Sequence, residues 1–243
     1  YGEINVKLLQ SNELTSFPIE ITIDEIDSHY FRRHLRIHEK MVCDYDRIGA
    51  INGLWANALG RGGVIPIETA FFPTTTFLEL KLTGSQGDVM KESMNVAKTL
   101  AWSLTDDKTK QEWMERFDKT KCQGLHIHCP EGAVSKDGPS AGTAITVAIY
   151  SLLNHKPIKA QLAITGEIDM YGEVMEIGGL EMKILGGIRA GINTFLYPSR
   201  NAPDFDLFME KYGEKDYIKN IEFVSVEKID EVFDLVFSEK NVI

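Results

Sequence analysis

Ser140 stands in the run Lys136-Asp137-Gly138-Pro139-Ser140-Ala141-Gly142, which opens a helical stretch and presents a hydroxyl at a helix start with no histidine close behind it. A serine so placed becomes a nucleophile only if its base comes from elsewhere in the chain. Lys183, in Gly178-Gly179-Leu180-Glu181-Met182-Lys183, is the candidate base, and the pair would perform Ser-Lys peptide hydrolysis. Asp137 can cap the helix with its carboxylate, Pro139 suits the first turn, and Gly138, Ala141 and Gly142 keep the surroundings small. The N–H groups of this helix start, at Gly138, Ser140 and Ala141, could hold an oxyanion forming beside Ser140. Loss of one such donor typically costs about 2.7–4 kcal/mol of transition-state stabilisation. Two plainer readings fit the same residues: a turn that simply enters a helix, and an anion site at the helix terminus.

A lysine acts as a base only when neutral, so its pKa must fall from about 10.4 toward about 7–8, roughly 4 kcal/mol of differential solvation. Burial must supply that shift. Ile177, Leu180, Met182, Ile184 and Leu185 offer an apolar setting, and Gly178 and Gly179 let the backbone approach closely. Against this stands the ordinary fate of a helix lysine, a solvated surface charge.

The elements that must bring the two segments together are legible from periodicity. Residues 23–31 read as a short helix with an acidic first turn, the tail of a module covering residues 1–40. From Ile48 the texture changes to glycine-punctuated strands: Ile48–Trp55, a turn at Gly60-Arg61-Gly62-Gly63, Val64–Phe72, and Thr76–Thr83 with a period of two. Asp88 starts a helix whose apolar positions Met90, Met94, Ala97, Ala101 and Leu104 form one stripe. A charged helix follows at 107–118, then a strand at Gly124–Cys129. The remainder alternates: helix 139–153, strand 160–165, helix 180–190, strand 193–197, helix 204–212, strand 221–226 and a final helix from 227. Such alternation predicts an α/β (α+β) layered domain of mixed sheets packed by helices, over residues 41–243.

At 243 residues and 43% apolar, the chain can bury one sizeable core beside an appendage. A formal charge of −10 with no basic stripe argues against nucleic acid as partner. No apolar run reaches the roughly 20 residues of a spanning helix, so no membrane partner is expected. Three cysteines, Cys43, Cys122 and Cys129, fit a reducing compartment, hence an intracellular, cytoplasmic location, the mitochondrial matrix being the other candidate. The chain starts at Tyr1 without methionine and reads as a piece of something longer. Cys122, His126, His128 and Cys129 invite a zinc reading, but Cys129 falls on the opposite strand face from the two histidines, so no metal site is expected. Trp102 and Trp113 read as core or subunit-contact residues.

Between the two chemical segments lie Thr165-Gly166-Glu167, Gly172-Glu173-Val174 and Ile177-Gly178-Gly179-Leu180. With Gly53-Leu54-Trp55, Ile67-Glu68-Thr69-Ala70, the segment Gly87–Ser93, His126–Gly132 and Arg189-Ala190-Gly191-Ile192, this succession resembles the proteolytic domain of the Lon family of ATP-dependent proteases, over residues 44–200 almost continuously. The resemblance implies that Ser140 is the nucleophile and Lys183 the general base, with Asp137 and Thr165 beside the dyad. Thr165 would fix the direction of the Lys183 amine. Asp137 would have to point away from Lys183, because a carboxylate in contact would favour the ammonium and disable the base. It further implies a hexameric ring, unfolded polypeptide substrates, and a role in ATP-dependent protein quality control. Residues 1–40 suggest the end of the family's small helical ATPase subdomain. No Gly-x-x-x-x-Gly-Lys-Ser/Thr phosphate loop occurs in the chain, so no cofactor is expected here, and ATP and magnesium are implied only for an ATPase module outside it. The strand Gly53–Asn57 could pair with an extended substrate by edge addition. Two other readings compete: a catalytically silent ring-forming scaffold of the same fold, and a phosphate-binding module built on the helix start at Ser140.

Overall fold

The fold is taken from a computed structural model that describes residues 41–130 and 137–238; the module expected at 1–40, with its helix at 23–31, lies outside the described residues. Strands β1 (Ala50–Ala56) and β2 (Gly62–Phe72) form an antiparallel hairpin around the expected glycine turn. After β3 (Leu80–Thr83) come the helices α1 (Asp88–Leu104) and α2 (Asp107–Thr120) and then β4 (Gly124–His128). A 3₁₀ turn at Pro139–Ala141 leads into α3 (Gly142–Asn154). Beyond it lie β5 (Leu162–Ile164), β6 (Glu167–Ile168), β7 (Val174–Met175), α4 (Leu180–Arg189), β8 (Thr194–Pro198), α5 (Ala202–Tyr212), β9 (Glu222–Val226) and α6 (Ile229–Val236). Among the described residues the strands make a seven-stranded sheet in the order β3-β4-β2-β1-β5-β8-β9, while β6 and β7 pair only with each other.

The sheet is mixed. Its β2 pairings are antiparallel, whereas β1, β5, β8 and β9 run parallel. Side chains of a strand alternate between faces, and here each face carries its own core. Ile51, Leu162, Ile164 and Leu196 pack with α1 and α3, while Leu54, Ala163, Phe195 and Tyr197 pack with α4 and α5. Strands covered on both sides read as near-continuous apolar runs, as Leu162-Ala163-Ile164 does. The expected stripe on α1 is buried at Met90, Met94, Ala97 and Ala101. Helix α3 is buried almost all round, wedged between α1 and the β1–β2 hairpin. Trp113 is a core residue whose indole N–H donates to the Leu153 carbonyl at 2.8 Å.

Two expected strands are half the length of their patterns: that at 160–165 forms only at Leu162–Ile164, and the other is that at 76–83. The alternation over Thr76–Thr83 yields a strand only at Leu80–Thr83. Leu78 takes a left-handed backbone (φ 50°) with its N–H donated to the Gln123 carbonyl, and consecutive side chains Phe77 and Leu78 both turn inward. Phe77 meets Trp102 and Phe117 edge-on with ring centroids 5.1 and 5.3 Å away. Burying an aromatic ring against two others outweighs continuing the pleat at a sheet edge.

A close backbone contact sets the depth of α4. A β-carbon added to Gly62 would lie 2.1 Å from the Met182 carbonyl oxygen, and one added to Gly186 would lie 2.2 Å from Gly62. Helix and strand therefore touch backbone to backbone, with no side chain between them. Gly62→Ala is expected to push α4 outward and cost roughly 1–3 kcal/mol, as overpacking does. A lowered midpoint of urea unfolding with an unchanged slope would report it.

Candidate active site

The 3₁₀ turn that carries Ser140 begins at Gly138, whose φ of 125° only glycine adopts without strain. Within such a turn the first two N–H groups lack an internal partner; Pro139 has none, which leaves the N–H of Ser140 itself. The N–H of Gly138 is already donated to Asp137 Oδ1 at 3.0 Å. The donor set expected at Gly138, Ser140 and Ala141 thus centres on Ser140.

The turn is clamped to the strand end at residues 165–166. The Ser140 carbonyl accepts from the Gly166 N–H at 2.8 Å and from Thr165 Oγ1 at 3.2 Å. In return the Gly166 carbonyl accepts from the N–H and the hydroxyl of Thr143, at 3.1 and 3.0 Å. Gly166 admits no side chain, since an added β-carbon would lie 2.6 Å from Val174 and 2.8 Å from the Thr143 hydroxyl.

Lys183 reaches the same place from the opposite face. It closes the first turn of α4, 3% exposed, because the Gly62 contact sinks that helix into the sheet. Its Nζ donates to Thr165 Oγ1 at 3.0 Å. Since the Thr165 hydroxyl spends its one hydrogen on the Ser140 carbonyl, it meets the amine as an acceptor. Burial lowers the pKa of Lys183 from 10.5 to about 8. Lys183 Nζ is therefore two hydrogen bonds from the Ser140 backbone, and both side chains line one cavity of about 600 Å³. The Ser140 hydroxyl makes no hydrogen bond among the described residues.

Asp137 does not cap its own helix. Its carboxylate accepts from the Met90 N–H at 3.2 Å and lies against Gly87, so it caps α1, whose start brings no capping side chain of its own. No ion pair joins Asp137 to Lys183 among the described residues, and the amine keeps its apolar setting.

The histidines of β4 stand apart from this cavity. Thr83 Oγ1 bonds His126 Nε2 at 2.9 Å and His128 Nδ1 at 2.7 Å. Burial, then the Lys81 charge, lowers the His126 pKa. No cluster of three or more metal-ligating side chains occurs among the described residues.

One buried polar residue beside the cavity escapes any reading of the sequence. Asn201, three residues before Asp204 at the start of α5, has the look of a helix cap, yet its side chain does not cap that helix. It bonds instead to the backbone of Ile177. Nothing local to residues 199–204 signals that partner.

The family model of the Lon protease (S16) C-terminal proteolytic domain matches residues 21–239. The Lon protease of Vibrio parahaemolyticus is 41% identical over 188 residues, 77% of this chain and 22% of that protein. Lon protease 2 of Herpetosiphon aurantiacus is 40% identical over 197 residues, 80% of this chain and 22% of that protein. The Lon protease of Mycoplasma mycoides subsp. mycoides is 34% identical over 242 residues, 97% of this chain and 27% of that protein. The chain thus spans about a quarter of the length of these curated relatives.

Proposed function

The chain belongs to the Lon protease family as its C-terminal proteolytic domain, and from that premise we propose that it is a serine endopeptidase working through a Ser140–Lys183 dyad. The observation that carries the reading is the buried Lys183 amine, held by Thr165 beside the turn that bears Ser140. A neutral amine has two hydrogens and one lone pair. Thr165 takes one hydrogen, which leaves the lone pair free to face the Ser140 side of the cavity. Lys183 accepts the Ser140 proton as Oγ attacks the scissile carbonyl, and the ammonium so formed returns that proton to the leaving amine. The Ser140 N–H supports the oxyanion. Water, deprotonated in turn by Lys183, resolves the acyl-enzyme and regenerates the serine.

Substrate would enter as extended chain. Beyond Gly53, β1 has run past its pairing with β5, and Leu54–Ala56 line the cavity with only their β2 side paired. A polypeptide adding to that edge would be held by its main chain, with little dependence on side chains. The wider reading is of a hexameric ring in an intracellular compartment, fed unfolded polypeptide by an ATPase module outside these residues that would bind ATP and magnesium.

The test is hydrolysis of unfolded casein and of a short fluorogenic peptide, with native mass measured on the same sample. Cleavage of both supports the reading. An assembled ring that cleaves neither would favour the silent scaffold.

A further inference from the structure

We infer that Asn201 is a positioning residue for substrate, its buried side-chain amide holding the Ile177–Gly178 wall of the cavity in place. The inference rests on the peptidase reading above and assigns a role within that site. Asn201 is 3% exposed, on the short 3₁₀ turn Ser199–Asn201 that ends β8. Its Oδ1 accepts from the Ile177 N–H at 3.0 Å; its Nδ2 donates to the Ile177 carbonyl at 2.8 Å and to Asp204 Oδ2 at 2.7 Å. The three bonds fix which way the amide points. Reversed, it would set its oxygen against the Ile177 carbonyl and the Asp204 carboxylate.

Ile177 lies between β7 and α4, outside any strand of the sheet. The amide supplies both hydrogen bonds that a neighbouring strand would have given. The anchored residue belongs to the site itself: Ile177 and Gly178 line the cavity, and Gly179 starts α4 with φ 72°. Two consecutive glycines place little restraint of their own on the chain. The wall is held at its far end by the first turn of α4, where the Lys183 N–H bonds the Gly179 carbonyl at 3.1 Å, and at its near end by Asn201. The burial of Lys183 has a different source, the contact of α4 with Gly62, so Asn201 governs the wall and leaves the base alone.

Steady-state hydrolysis of a fluorogenic peptide across pH tests this on the full chain. Asn201→Ala is expected to raise KM and lower kcat/KM about tenfold or more, with the pH limb of Lys183 in its wild-type place. Asn201→Asp, which keeps the volume and the acceptor for Ile177, is expected to raise KM likewise by repelling the Ile177 carbonyl. Asn52→Ala is the structural control. It deletes another buried amide bond, Nδ2 to the Leu162 carbonyl at 2.9 Å, away from the cavity lining. It is expected to lower stability with KM unchanged. Wild-type KM in both Asn201 variants, or a displaced pH limb, overturns this inference alone. A wild-type protein that assembles, by native mass, and hydrolyses no peptide overturns the peptidase reading and this inference with it.

Discussion

Ser140→Ala is expected to reduce peptide hydrolysis by about a thousandfold or more while leaving the fold intact. The substitution removes only Oγ, which bonds no described residue. The bonds that hold the turn run from the Ser140 carbonyl to Gly166 and Thr165 and survive the change. Its effect on stability should stay within about 0.5 kcal/mol, as for substitutions that break no native interaction. Its effect on rate is large because no neighbouring group can attack in its place. Sites that lose their nucleophile retain only what oxyanion contacts and binding supply to a water molecule. Initial rates and thermal unfolding measured side by side separate the two quantities. A variant that keeps a tenth of the wild-type rate would remove Ser140 from the nucleophile's role.

Lys183 carries the second large expectation, which concerns pH and stability together. With a folded pKa of about 8, kcat/KM should rise with pH through that value and level off above it. The stability effect has an unusual sign for a lysine. The folded pKa lies below the unfolded one of 10.5, so between about 8 and 10.5 the unfolded chain binds the proton and the folded chain does not. Stability therefore climbs with pH across that window, and below pH 8 the full cost of a buried ammonium is present, roughly 3 kcal/mol. Lys183→Met, similar in length and without charge, should abolish hydrolysis and yet stabilise the protein at pH 7, flattening the climb between pH 8 and 10.5. Lys183→Arg should abolish hydrolysis at every pH and also destabilise, since guanidinium keeps its charge wherever it is buried. Urea unfolding at pH 7 and pH 10 measures both. A Lys183→Met protein less stable than wild type at pH 7 would mean that the ammonium is paired and not merely buried, which would hold its pKa up, and the base assignment would fall.

Much of the fold is legible in the chain. The stripe Met90, Met94, Ala97 and Ala101 appears as the buried face of α1 because helical periodicity is written in consecutive residues. The strands at 50–56 and 62–72 and the turn between them appear for the same reason. The failure at Thr76–Thr83 is equally instructive: a period of two is real there, but Leu78 reverses its backbone so that Phe77 and Leu78 both find the core. The hairpin β6–β7 has two residues per strand, too few for any periodic signal. Asp137 reads as a cap in sequence and is one in space, but for a helix 47 residues earlier.

By itself the sequence determined the chemistry at hand: a hydroxyl at a helix start, an amine on an apolar helix, a threonine between them, and the family those segments belong to. All of these are carried by neighbours along the chain. What only tertiary structure decided is the condition of those groups. Lys183 loses its charge readily because Gly62, 121 residues away, lets α4 sink until water is excluded. Asp137 spares that amine because α1 offers its unpaired N–H groups nearby. Solvation and hydrogen bonding depend on whatever atoms lie within a few ångströms, and for a folded chain those atoms come from residues far apart in sequence.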